Sequence, residues 1–166
     1  MANKKNIVRR IKSAVISVSD KSNLKPLLQT LNRYNVKLIS SGGTFKAIRK
    51  LGYRCLEVSD YTGFNEILDG RVKTLHPKIH AGILNKRNNN THKREIKKNN
   101  FQNIDLVIVN FYPFEKTLNT TKNHNKIIEK IDIGGPALVR SAAKNYNDVA
   151  VITSTNQYSA LIDQLK

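Results

Sequence analysis

With 166 residues and 39% hydrophobic content, the chain has the size of one domain and can bury a real core without staples. Its single cysteine, Cys55, excludes an internal disulfide framework and a cysteine-rich zinc site, and no apolar run approaches the ~20 residues of a membrane span. The formal net charge of +17 invites a nucleic-acid reading, so where the charge sits matters more than its size.

In chain order, residues 1–12 read as a basic arm without a signal-like apolar stretch, and the expected setting is the reducing cytoplasm. Residues 14–18 are short, apolar and closed by Ser19-Asp20, which predicts a buried strand. Leu24, Leu27, Leu28, Leu31 and Tyr34 follow at helical spacing, with Pro26 tolerable in a first turn. A second strand over 36–39 runs into Ser40-Ser41-Gly42-Gly43-Thr44 and a short helix through Phe45, Ile48 and Leu51, stopped by Gly52. A third strand is expected over 53–58, and the strongest strand signal is 105–109. Gly134-Gly135-Pro136 opens a helix through Leu138, Val139, Ala142 and Ala143. A last strand over 148–153 and a last helix over 158–161 complete the chain, while 92–98 fits a polar surface helix. Strands alternating with helices predict an α/β fold: three layers, a mostly parallel sheet with helices on both faces. Such sheets bind ligands beyond the carboxyl ends of their strands.

The charge is concentrated. Residues 1–12, 86–98 and 116–130 together hold +13 of the +17. The chain also carries 20 Asn, 20 Lys and 17 Ile, residues whose codons are A/T-rich, so base composition explains much of the excess without a partner.

Several polar segments fall at the expected ligand edge. Ser17, Ser19 and Lys21 follow the first strand and suit a phosphate. Ser41, Gly42, Gly43 and Thr44 enter a helix, where backbone N–H groups favour anions; an ordinary turn and N-cap is the plainer reading of the same residues. In Gly70-Arg71-Val72-Lys73-Thr74, the alternating Arg71 and Lys73 point to one side of an extended backbone, or belong to a solvated loop. His76 and His80 have the spacing of metal ligands, but Pro77 between them argues against a regular helix and no third ligand is evident, so no metal site is expected. Asn110 and Tyr112 end the strongest strand, with Phe111 and Phe114 read as core aromatics. Asp132 precedes a helix carrying Arg140 and Lys144 on one face.

Taken together, SVSDK (17–21), SGGT (41–44), the D-TGF run (60–64), GRVKTLHPKIHAGIL (70–84), NFYPF (110–114) and IDIGGPALVRSAAKN (131–145) resemble the N-terminal domain of the bifunctional aminoimidazole-carboxamide ribotide transformylase/IMP cyclohydrolase family. The resemblance covers nearly all of 13–155. It implies a methylglyoxal-synthase-like fold and a cyclohydrolase that closes formyl-aminoimidazole-carboxamide ribotide to inosine monophosphate (IMP) with release of water. It implies catalytic roles for Lys73, Tyr112, Asp132 and Lys144. Ser17, Ser19, Lys21, Ser41, Gly42, Gly43, Thr44, Arg71, Thr74, Asn110, Gly134 and Gly135 would hold the ribotide. No metal or cofactor is implied for this step, and 10-formyltetrahydrofolate belongs only to the family's transformylase domain, toward which 156–166 would begin the connection. A homodimer with a small nucleotide substrate, and neither a specific nucleic acid nor a membrane, is the partner expectation. The rival readings are a methylglyoxal-synthase-like phosphate-binding domain, against which GRVKTLHP, NFYPF and IDIGG speak, and a basic nucleic-acid-binding module, which no zinc pattern, RNP-like motif or heptad supports.

Overall fold

The computed structural model describes residues 9–166. Its strands are β1 Ser13–Val18, β2 Lys37–Ser40, β3 Leu56–Glu57, β4 Leu106–Asn110 and β5 Ala150–Ile152. All pair in parallel, in the order β3-β2-β1-β4-β5. Central strands buried on both faces need continuous apolar runs, which is what β1 and β4 supply. Their side chains alternate between two cores. Ala14, Ile16, Val18, Leu106 and Ile108 face one side, where Leu24, Leu27, Leu28 and Leu31 of α1 (Leu24–Arg33) meet Ile48 of α2 (Gly42–Lys50). Val15, Val107 and Val109 face the other. There they meet Val58 and Tyr61 of α3 (Val58–Thr62), Ile79 and Ile83 of α4 (Pro77–Leu84), and Leu138 and Ala142 of α8 (Gly134–Lys144). Three layers result, as the alternation of elements predicts. The remaining helices are α5 Asn90–Lys98, α6 Phe114–Thr120, α7 His124–Ile128 and α9 Tyr158–Leu165.

Four expectations change. The third strand is only two residues long, because Val58 leaves the sheet to begin α3 and packs with Tyr61 into the core. Pro77 does not break the helix around His80 but starts it: its missing N–H is one of the unpaired donors of a first turn, and His76 Nδ1 accepts from the Lys78 N–H at 3.1 Å as the cap. The packed unit does not stop at residue 155. Tyr158 and Leu161 of α9 are buried against α1, so the packing continues into 156–166. Residues 1–8 of the basic arm lie outside the described residues, and Arg9–Lys12 are pinned rather than free. Arg9 pairs with Asp148 at 2.6 Å, and the Lys12 N–H donates to Asp105 Oδ2 at 2.9 Å.

A sheet of this order has its switch point between β1 and β4, where the loops leaving the two strands turn apart and open a crevice. Among the described residues no helix is long and apolar enough to cross a membrane.

Candidate active site

A cavity of about 530 Å³ opens at that crevice. Segments distant in sequence build it: the loop after β1, the turn into α2, the 69–74 loop, the end of β4 and the approach to α8.

Two of these are tied together through Thr44. Its buried hydroxyl accepts from the Val18 N–H at 3.1 Å and donates to the Val18 carbonyl at 2.9 Å, which locks the α2 turn against the β1 loop. Lys21 is folded over the same loop, with Nζ 3.1 Å from the Ser19 carbonyl. Ser41 stands at the N-cap of α2 but makes no side-chain cap bond, so its hydroxyl is left for the cavity. Gly42 adopts φ +54°, and a Cβ there would sit 3.1 Å from Lys73 Nζ; the left-handed backbone and that close ammonium both favour glycine.

Arg71 and Lys73 reach the cavity by a route the spacing did not predict. Leu68, Asp69 and Gly70 are all left-handed, and Arg71 itself is helical rather than extended, so a tight turn instead of a strand aims the pair. Each cation has an acidic partner: Arg71 with Glu129, and Lys73 with Glu66 at 3.1 Å. Thr74 is buried at the wall, and a Cβ on Gly134 would lie 2.6 Å from its hydroxyl. Asp132 receives the Gly135 N–H on Oδ1 at 2.8 Å, which fixes the carboxylate at the entry to α8. Tyr112 is half exposed beneath Lys130, whose Nζ is 5.2 Å from the ring centre.

Fifteen of the sixteen residues named from sequence line this cavity: Ser17, Ser19, Lys21, Ser41, Gly42, Gly43, Thr44, Arg71, Lys73, Thr74, Asn110, Tyr112, Asp132, Gly134 and Gly135. Lys144 does not. It is exposed at the far end of the 11-residue α8, about 15 Å from Gly134 at ~1.5 Å per residue. The catalytic role implied for it is therefore not met by the chain's own cavity. Arg140 is likewise on the exposed face. Asn110 lines the cavity and also ties two segments together. Its amide Oδ1 accepts from Ser19 N–H at 2.6 Å and Asp20 N–H at 2.8 Å, and Nδ2 donates to the Asp20 carbonyl at 2.8 Å. It clamps the β1 loop at the cavity wall. Phe111, read as core, is exposed.

Sequence reasoning missed Asp69, Ile128, Glu129, Ile131 and Ile133, which also line the cavity. Three of them, and Lys130, belong to or adjoin the lysine- and asparagine-rich stretch assigned to base composition. The available signal was the apolar residues Ile127, Ile128, Ile131 and Ile133, crowded into otherwise polar sequence.

The two histidines serve structure. His80 Nδ1 lies 2.9 Å from Ser141 Oγ, bridging α4 to α8, and burial holds its pKa below the ordinary value. Among the described residues no group of three His, Cys, Asp or Glu side chains is arranged to hold a metal ion. Burial pushes the Cys55 thiol up to about 12, which leaves it a poor nucleophile.

A family model described as "MGS-like domain" matches residues 23–137. Curated relatives called bifunctional purine biosynthesis protein PurH include that of Acetivibrio thermocellus, 50% identical over 157 residues, or 94% of this chain and 30% of that protein. The one from Clostridioides difficile is 48% identical over 155 residues, again 30% of its length. The chain thus spans about 30% of the curated relatives it matches. The solved structure of ForH superposes with a TM-score of 0.80 at 32% identity, covering 93% of this chain and 79% of that one. Sheet order, site location and these matches agree: the chain belongs to the MGS-like domain family.

Proposed function

We propose that the chain is an IMP cyclohydrolase, closing formyl-aminoimidazole-carboxamide ribotide to IMP with loss of water. The observation that carries this reading is the convergence of Lys73, Tyr112 and Asp132 with two interlocked phosphate-type loops on one cavity. The PurH name of the relatives, at about half-identical sequence, supports it.

Nucleophile and electrophile belong to one molecule, so much of the gain comes from freezing the reactive conformer. Ser17, Ser19, Lys21, Ser41 and Thr44, with the Gly42 and Gly43 backbone, grip the phosphate. The base reaches toward α8. There the carboxamide nitrogen attacks the formyl carbon, forming the C–N bond and an oxyanion on the former formyl oxygen. Asp132 is oriented by Gly135 through one oxygen and takes the amide proton on the other. Lys73 and Tyr112 stabilise and protonate the oxygen, which leaves as water as the former formamide nitrogen gives up its proton and the ring becomes aromatic. Lys144 has no part in this sequence of steps within one chain.

The step as proposed uses no metal or cofactor, and 10-formyltetrahydrofolate is assigned to the transformylase step alone. A cytoplasmic setting and a homodimer complete the reading. The test is to incubate the 166-residue chain with the formylated ribotide and follow IMP by absorbance, with and without EDTA. IMP above the enzyme-free control, unaffected by EDTA, is expected. No product, or loss of product in EDTA, refutes the reading or its metal-free step respectively.

A further inference from the structure

A second cavity, of about 670 Å³, lies at the opposite, amino-terminal edge of the sheet. It shares no residue with the first, and the length of the six-residue β1 separates the two, roughly 20 Å at ~3.3 Å per residue. Arg9, Arg10, Lys12, Lys37 and Arg87 line it against one carboxylate, Asp105.

The acidic groups nearby are already engaged. Asp105 Oδ2 accepts from the Lys12 and Ser13 N–H groups at 2.9 and 3.2 Å, and its Oδ1 lies 3.5 Å from Arg87. Asp148 pairs with Arg9. Arg87 is a built part of the wall: its side chain is only 9% exposed, and its guanidinium donates to the Asn85 and Ile104 carbonyls at 2.6 and 2.8 Å. Lys37 Nζ is held by Gln102 Oε1 at 2.8 Å. The Arg10 and Lys12 side chains have no ion-pair partner among the described residues. Five cations against Asp105 and Asp148 leave +3 around one concavity.

We propose that this edge is a second anion site, which takes the phosphate chain of a polyphosphate such as a nucleoside triphosphate. A phosphate monoester, at about −2, leaves the cluster unmatched, whereas several linked phosphates balance it. The volume falls in the range of ~300–1,000 Å³ typical for small ligands, and an extended nucleic-acid backbone would run past it. The rigid Arg87 wall supplies a fixed positive potential, and the exposed Arg10 and Lys12 side chains supply further donors to the phosphates.

Calorimetric titration of the 166-residue chain with ATP at ~150 mM salt tests this, with inorganic tripolyphosphate and a ~20-nucleotide single-stranded RNA as parallel probes. Saturable ATP binding is expected. It should weaken at least about tenfold in the Arg10→Glu/Lys12→Glu variant, the scale of lost hydrogen bonds to charged groups. It should stay within about twofold in Lys21→Ala/Lys73→Ala, which alters only the other cavity. Equal binding of tripolyphosphate also supports the site, since the phosphate chain is what it reads. Both substituted side chains are exposed, and the milder Arg10→Gln/Lys12→Gln variant, checked by circular dichroism, separates lost binding from lost fold. The proposal is overturned by absent ATP saturation, by weakening confined to the Lys21→Ala/Lys73→Ala variant, or by RNA binding tighter than ATP.

Discussion

The two edges of the sheet are both cationic, yet they are built in different ways. At the carboxyl edge, Lys21, Arg71 and Lys73 stand among glycines, hydroxyls and the first turns of α2 and α8, so backbone N–H groups and side chains aim at one volume. At the amino edge Arg9 and Arg87 are held by Asp148, Asp105 and backbone carbonyls, and among the described residues no helix start contributes. Charge alone does not distinguish the edges. What distinguishes them is whether the chain can approach a ligand closely enough to present both backbone donors and acid–base groups. The first edge is equipped for chemistry, the second for holding an anion.

Substitutions can break this contrast, and the largest expected effects lie at the carboxyl edge. Lys73→Ala or Asp132→Asn should lower IMP formation by roughly 10²-fold or more, the scale of lost acid–base help, in steady-state assays. Near-normal turnover in both would remove the chemistry from this cavity. Gly134→Ala comes next. Its new Cβ would meet the Thr74 hydroxyl at 2.6 Å, and displacing either the 69–74 loop or the α8 entry should cost on the order of tenfold in turnover, since ~1 Å of misplacement can cost ~10²-fold. Lys144→Ala should leave turnover within about twofold of the parent, because the side chain points to solvent far along α8. A drop comparable to that of Lys73→Ala would instead mean that Lys144 serves a cavity formed with another copy.

The smallest expected effect concerns stability. Burial holds His80 below its ordinary pKa, so the unfolded chain takes up that proton first as the pH falls through about 6.5. This contribution to stability is intact above that value and declines below it. His80→Gln should therefore show a shallower fall of Tm between pH 7 and 5 than the parent, measured by thermal denaturation; an equal fall in both would assign the acid sensitivity elsewhere.

Much of the fold was legible because local and global signals agree. The apolar runs of β1 and β4, the leucine spacing of α1 and the glycine–proline entry to α8 each point to the element that forms. Legibility failed where tertiary packing decides. Val58 belongs to a helix because the second core needs it there, and α9 joins the first core because Tyr158 and Leu161 find α1. In the site, motif residues were readable as types, but their uses were not. Asn110, expected to meet the ligand, also holds the β1 loop. Glu66 and Glu129 neutralise the site's cations from segments without any motif, through contacts that no spacing encodes. The lysine-rich stretch was only partly a matter of composition, since Ile128, Glu129 and Lys130 sit at the cavity or over Tyr112.

The central claim is that one ribotide spans the carboxyl-edge cavity, with its phosphate at the β1 and α2 loops and its base at α8. A crystal structure of the chain with IMP tests it most directly. The expected electron density places the phosphate within hydrogen-bond distance of Ser17, Lys21, Ser41 and the Gly42–Gly43 backbone, and the purine beside Asp132, Lys73 and Tyr112. IMP bound at the amino edge, or a cavity left empty at saturating IMP, would contradict it.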